Sequence, residues 1–430
     1  MWLYTRCTGD RLNQSMWAVR LSSTVRAILR CRMSAPDAQP LRHSLRIAGL
    51  FAGIGGIEVG MHAHGHRTEL LCELDAAAQR VLRTHFRAAF HDDVTTLEAL
   101  PEVDLVAAGF PCQDLSQAGR TAGIGGQQSG LVSHVFRLLD NAKPEPRWLL
   151  LENVPFMLQL DRGQAMTHLT TELGRRGYRW AYRVVDARSF GLPQRRQRVL
   201  LLASKTADPR PVLFGEEAGP AEPAVRDGSV YGFYWTEGLR GLGLAVDAVP
   251  TLKGGSTLGI PSPPAIWMPD ASIGEQIVTP DIRDAERLQG FEANWTAPAV
   301  IDPAKRNGPR WKLVGNAVSV PVASWIGERL TVIDPSWDAD VKEFARDRSW
   351  PRAAWGEDDR AWSVDVSMWP RQEPFEPLGT FLRHATRPLT HRAAAGFYER
   401  TERSTLRFPD GFRAAVREHR DAMHDELVFA

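Results

Sequence analysis

The chain has 430 residues, 43% of them hydrophobic and 24% charged, with a formal net charge of +1. These values fit a globular protein of two or three domains and exclude a disordered or fibrous chain. They give no global basic signature of nucleic-acid binding, so any such surface is local. Four cysteines without a CxxC pair exclude a zinc ribbon or disulfide framework, no metal site is expected, and no apolar run approaches the ~20 residues of a membrane span.

In chain order, residues 1–43 stand apart. The stretch 1–33 is rich in Arg and Ser with a single acid, Asp10. It reads as a disordered extension, translated from upstream of a natural start at Met33; an organellar transit peptide is the second reading. Folded pattern begins at Leu45. From there to 204, apolar runs alternate with helical stretches: SLRIAGLFAG (44–53), ELLCELD (69–75), the helix AAAQRVLRTHF (76–86), DLVAAGF (104–110), RWLLLENV (147–154), YRWAYRVVDA (178–187) and RVLLLAS (198–204). Strands spaced by helices predict βαβ units, hence an α/β domain over 44–204 with a mostly parallel sheet. Residues 205–280 break the rhythm, being rich in Gly and Pro, with five Lys/Arg against nine Asp/Glu and an aromatic piece, VYGFYW (230–235). They read as a smaller, loop-rich domain. Helical character returns within 281–333, a segment expected to complete the first domain. Residues 334–430 carry Trp337, Trp350, Trp355, Trp362 and Trp369 and end in an Arg-rich helix. They read as a helical extension packed on the first domain, an element that lies along a nucleic acid being the alternative.

The chemistry gathers at strand ends. FAGIGG (51–56) lacks the last Gly of GxGxxG, because position 58 is Glu58, so a pyrophosphate clamp is not supported. Gly53 and Gly55 still permit a tight turn and close approach of a ligand. The next strand ends in Glu73 and Asp75, where an acid can accept ribose hydroxyls, and HDDV (91–94) places another acid near a third strand end. Glycine turn, ribose acid and third acid describe a nucleoside site without a phosphate anchor, which fits S-adenosylmethionine (SAM). GFPCQDLS (109–116) then sets Cys112 on a rigid Pro–Cys turn just past a strand, where open α/β sheets carry their chemistry.

With that thiol beside such a site, the chain resembles the DNA cytosine-5 methyltransferases. The motifs LFAGIGG (50–56), Glu73, Asp93, GFPCQDLS (109–116), ENV (152–154), QRRQR (194–198), RLQGF (287–291) and GNAVSV (315–320) stand in the family's order. The resemblance spans 50–330. It implies a SAM-binding Rossmann-like fold with a target-recognition domain at 205–280. It assigns the nucleophile to Cys112, the cytosine N3 and amine edge to Glu152, and the cytosine O2 and thiol loop to Arg198 with Arg196. For the cofactor it assigns stacking to Phe51, the turn to Gly53 and Gly55, the ribose to Glu73, the adenine amine to Asp93, apolar walls to Pro111 and Leu131, and the floor to Asn316. GNAVSV has Ala317 where Ser is commoner, another small residue.

The Gly-rich stretch 117–130 has the composition of a mobile loop, as base flipping needs. Base reading is expected from VPTLKGGSTLG (249–259), through Thr251, Leu252 and Lys253, with Gln194 of QRRQR also facing DNA; a plain glycine linker, or recognition by 230–235, is the alternative. The expected partner is double-stranded DNA, with a cognate restriction endonuclease in the cell. The protein is expected to be a monomer, bacterial, cytoplasmic and nucleoid-associated. A tRNA methyltransferase of the same fold and a catalytically silent DNA-binding member are the rival readings. Intact Cys112, Glu152 and Arg198 argue against the second, and the 205–280 insert against the first.

Overall fold

The computed structural model describes residues 44–110, 130–220, 225–254, 263–302, 307–332, 337–346 and 349–429. The 1–43 extension, Pro111, Cys112 and nearly all of the 117–130 segment lie outside the described residues, as do 255–262 of the expected reading loop.

β1 (Arg46–Leu50) turns through the glycines into α1 (Gly56–His62). β2 (Arg67–Cys72), α2 (Ala76–His85), β3 (Ala89–His91), β4 (Leu105–Ala108), α3 (Leu131–Asn141) and β5 (Trp148–Asn153) follow. These five strands pair in parallel in the order β3-β2-β1-β4-β5. β4 and β5 are buried along their whole length, as strands covered on both faces must be.

Beyond β5 the sheet reverses. α4 (Gln164–Arg175) leads into β6 (Arg179–Asp186), and after β7 (Gln194–Arg195) comes β8 (Gln197–Ser204), antiparallel to both β5 and β6. The connection 187–196 falls short of the dozen or so residues that a parallel crossover takes. The sheet is therefore parallel on the side of the glycine turn and antiparallel on the other.

α5 (Arg210–Phe214) closes this half. β9 (Tyr231–Phe233), β10 (Ala245–Val246), β11 (Val249–Pro250), β12 (Ala265–Trp267) and β13 (Ile277–Thr279) form the smaller domain, whose sheet runs β10-β9-β12-β13, while β11 pairs with β7. α6 (Ile282–Leu288), α7 (Gly308–Asn316) and α8 (Val320–Thr331) return to the large sheet. α8 lies against α1 so closely that a Cβ on Gly60 would sit 2.5 Å from the Ser324 nitrogen. Gly60 thus fixes the height at which α1 sits on the core.

The C-terminal segment differs from the helical extension expected. β14 (Val341–Glu343), β15 (Ala353–Glu357) and β16 (Arg360–Val364) continue the large sheet from the edge of β6, giving the order β14-β16-β15-β6-β8-β5-β4-β1-β2-β3 among the described residues. Then α9 (Leu378–Phe381) and β17 (Arg387–Pro388) reach the smaller domain, where β17 pairs with β13. α10 (His391–Glu402) and α11 (Phe412–Phe429) pack Phe397 and Phe412 on Phe233 and Trp267. Trp355 stacks on its cross-strand neighbour Trp362 at 4.2 Å, and Trp350 sits against Trp180 and Tyr182. Sequence patterning concealed these strands because they are short and their partner, β6, lies some 170 residues earlier.

Candidate active site and cofactor edge

Parallel pairing brings the C-terminal ends of β1 to β5 to one edge: Leu50 lies beside Cys72 and Ala108, Cys72 beside His91, and Ala108 beside Leu151. The residues that follow each strand are the candidates. Phe51 leaves β1 at φ 54°, a left-handed conformation that costs a non-glycine residue energy and concentrates at functional sites. Gly53 follows at φ 58°, and a Cβ there would meet nothing within 4 Å, so its backbone faces open space. Gly55, at φ 84°, is packed on the Phe86 ring and serves the turn itself.

Glu73 braces this turn. One carboxylate oxygen accepts the Gly53 N–H at 2.8 Å and the other the Asp75 N–H at 2.7 Å. Each oxygen keeps a lone pair for a ligand hydroxyl. Asp75 is occupied, capping α2 and pairing with Lys312 at 2.6 Å. Asp93 accepts the Thr95 N–H at 2.8 Å, and Thr95 holds its carboxyl below the usual range. Leu131 opens α3, half-buried against the core. Asn316 is exposed at the end of α7, where the backbone of Gly254 closes on its side chain.

At β5, Glu152 and Arg198 form a pair with N–O 2.7 Å, both side chains about nine-tenths buried. The second Glu152 oxygen passes over Gly109, 3.4 Å from the place of its missing Cβ. Asn153 donates to the Phe110 carbonyl at 2.9 Å and accepts the Val154 N–H. The ENV segment therefore grips the chain at Phe110, the residue before Pro111 and Cys112 in sequence. Cys72, by contrast, is 2% exposed, and burial with neighbouring Glu73 and Asp93 pushes its thiol up to about 12, which rules it out as a nucleophile.

The remaining expected contacts are placed differently. Arg196 is fully buried and gives its guanidinium to the carbonyls of Leu252, Gly315 and Ala317 at 2.5–3.1 Å, so it ties QRRQR to two other segments and does not face a substrate. Gln194 is likewise buried, donating to the Leu288 carbonyl and accepting the Leu252 N–H, which removes it from any DNA surface. Thr251 donates to the Arg195 carbonyl at 2.8 Å and Leu252 is 2% exposed. Both are anchors of the loop, which Arg196 also holds through the Leu252 carbonyl. Lys253 alone keeps a half-exposed head, paired with Glu237 at 2.5 Å and 3.7 Å above the Tyr234 ring.

Sequence reasoning passed over two residues here. Leu74, 72% exposed beside Glu73, offers an apolar wall, and its signal was an apolar residue between two acids. Asn153 was visible only as the middle of ENV.

These features fit SAM. The edge offers ribose acceptors, apolar surface and several carboxylates for a cationic ligand, with no cluster of cations for a phosphate among the described residues. The fold and this edge define the class: a Rossmann-like methyltransferase. The family model of C-5 cytosine-specific DNA methylase matches residues 45–219. Type II methyltransferase M2.BsuMI of Bacillus subtilis (strain 168) is 48% identical over 379 residues, covering 86% of this chain and 96% of that protein. Type II methyltransferase M.MspI of a Moraxella species is 27% identical, over 66% and 69%. Among solved structures, S. pombe Dnmt2 methyltransferase aligns at 16% identity and a TM-score of 0.47, over 66% of this chain and 98% of that one. The chain belongs to the C-5 cytosine-specific DNA methylase family, and is a SAM-dependent DNA cytosine-5 methyltransferase.

Proposed function

We propose that the protein methylates C5 of a cytosine flipped out of duplex DNA at a specific sequence, as the modification partner of a restriction endonuclease in a bacterial cytoplasm. The observation that carries the site assignment is the buried Glu152–Arg198 pair beside Gly109, three residues before Cys112 in sequence.

C5 of cytosine is too weakly nucleophilic to take a methyl group directly. Addition of the Cys112 thiolate at C6 converts the ring to an enamine whose C5 is nucleophilic, splitting a hard step into easier ones. Glu152 accepts from the exocyclic amine and gives a proton to N3, and that proton offsets the negative charge that thiolate attack places on the ring. Arg198 is a positioning residue: its ion pair fixes the Glu152 rotamer. When bound, SAM supplies the methyl group on a sulfonium. Phe51, Gly53, Leu74 and Leu131 offer the surface that would hold its adenosyl end, with Pro111 the further wall the resemblance implies, and Glu73 would accept the ribose hydroxyls and Asp93 the adenine amine. After transfer, loss of the C5 proton and elimination release the thiolate. Flipping itself costs a few kcal/mol.

The test is Cys112→Ala. Methyl transfer from labelled SAM to duplex DNA should fall to background while DNA binding persists. Retention of more than a few per cent of turnover overturns the assignment. Bisulfite sequencing of DNA from expressing cells reads the target sequence directly, and labelled tRNA in the same assay should stay unmodified.

A further inference from the structure

The chain that follows Glu152 carries a row of exposed side chains that the chemistry above does not use. Past Asn153 it runs through two short 3₁₀ turns, Pro155–Leu158 and Leu160–Gly163, into α4. The Gln159 N–H donates to the Phe156 carbonyl and the Arg162 N–H to the Gln159 carbonyl, each at 3.0 Å. Residues three apart in such turns fall on one face. Met157 and Leu158 are buried in the main core and Leu160 packs against it, so the row left to solvent is Phe156, Gln159 and Arg162. Phe156 is 59% exposed, the only aromatic side chain so open among the described residues. Its direction is fixed, because Pro155 restricts the backbone before it and the two residues after it are held in the core. Arg162 adopts φ 60°, a left-handed conformation that strains a residue other than glycine and concentrates at functional sites. The row also stands in a telling place. β5 ends at Asn153, and the first turn lies against β8, the strand that carries Arg198. A cytosine seated on Glu152 is still joined to its strand, so the nucleotides beside it cross the rim of the pocket, and on the β5 side that rim continues into this row.

We propose that Phe156, Gln159 and Arg162 form a contact for the DNA strand that carries the target cytosine. Phe156 lies against the sugar and base beside the flipped nucleotide, Gln159 donates its amide N–H to a backbone oxygen, and Arg162 pairs with a phosphate. An aromatic ring, an amide and a guanidinium in one row match what a strand presents in turn: base and sugar faces, sugar–phosphate oxygens and charge. None of the three contacts reads a base edge, so the row holds and orients the strand whatever its sequence. The strain at Arg162 then has a use. Glycine would take that backbone freely, but only a long cationic side chain there reaches a phosphate.

The inference rests on duplex DNA being the substrate, and the experiment separates the two. Fluorescence anisotropy follows the full chain binding a labelled duplex that carries the sequence methylated in expressing cells, across a salt series. Calorimetric SAM binding and a thermal melt accompany it. Arg162→Gly should weaken duplex binding about fivefold and lower the slope of log affinity against log salt by about one. It should melt no lower than wild type, because glycine relieves the left-handed strain. Phe156→Ala should weaken duplex binding about tenfold with the salt slope unchanged, and Phe156→Trp should restore it. SAM affinity should stay at the wild-type value in all three variants. If the variants bind the duplex as wild type does, with the same slope, the row is no DNA contact; a face that docks another protein would give that result. Weaker duplex binding matched by a lower melt and weaker SAM binding would make the row structural and overturn the proposal as well. A wild-type chain that methylates no DNA in cells, and so yields no duplex to test, overturns the substrate reading instead. Should Arg162→Gly fold poorly, the two Phe156 variants still decide.

Discussion

The parallel half of the large sheet and the C-terminal segment contribute to the same core in opposite ways. In the first, short local motifs at strand ends do everything: a glycine turn, an acid after β2, an acid after β3 and the ENV strand are each legible within a few residues, and parallel pairing brings them to one edge. In the second, β15 is meaningful only beside β6, and β17 only beside β13. Chemistry is written locally here, and architecture at long range.

The comparison breaks most severely by truncation. Removing residues 340–430 uncovers the whole β6 edge and strips Trp350, Ala354 and Ala361 from the main core and Phe397, Phe412 and Val416 from that of the smaller domain. An unprotected edge strand above an opened core predicts insoluble protein. A soluble truncation with a cooperative melt would show that the segment is an accessory, not part of the fold.

Within the site, the largest expected effect is Arg198→Ala. It leaves Glu152 buried without its partner, and breaking such a pair costs about 3–5 kcal/mol. Denaturant unfolding should record that loss, and single-turnover methylation should fall with it, with Arg198→Lys recovering part of both. If stability were untouched, the pair would be open to solvent and Glu152 positioned by something else.

Glu73→Ala comes next. It removes the brace of the glycine turn and the proposed ribose acceptor together, so SAM binding should weaken by about 1–3 kcal/mol. Asp93→Ala should weaken it less, because that carboxylate takes the Thr95 N–H and does not brace the glycine turn. Calorimetry on both variants orders them, and a larger loss at Asp93 would mean that adenine rather than ribose anchors the ligand.

How far the sequence could be read follows the same divide. Phe51, Glu73, Asp93 and Glu152 sit at strand ends that hydrophobic runs already mark. The resemblance assigns Arg196 to the cytosine O2 and thiol loop, and Gln194 of the same motif is expected to face DNA. In the fold they face inward, since the carbonyls of Leu252, Gly315 and Ala317 come from segments 50 to 120 residues away. The C-terminal strands were missed for the matching reason. A two-sided, Trp-rich stretch has no periodicity of its own until an edge is offered to it.

The smallest effect is expected at Lys253, and it bears on where sequence recognition lives. With Thr251 and Leu252 spent on holding the loop to Arg195 and Gln194, Lys253 is the residue of the expected reading set whose head still reaches solvent. In the free protein it is engaged by Glu237 and Tyr234, a pair worth at most about 1 kcal/mol at such exposure. Exchange of Glu237 for a base edge must repay that, so Lys253→Ala should cost only about 1 kcal/mol on the cognate duplex, with discrimination against single-base variants relaxed. Thr251→Ala should instead lower stability and leave discrimination alone. The measurement is the methylation rate on the cognate duplex and a single-base panel for wild type and both variants. A uniform loss across the panel for Lys253→Ala would make it a phosphate contact, and unchanged ratios with unchanged rates would move base reading to another part of the smaller domain.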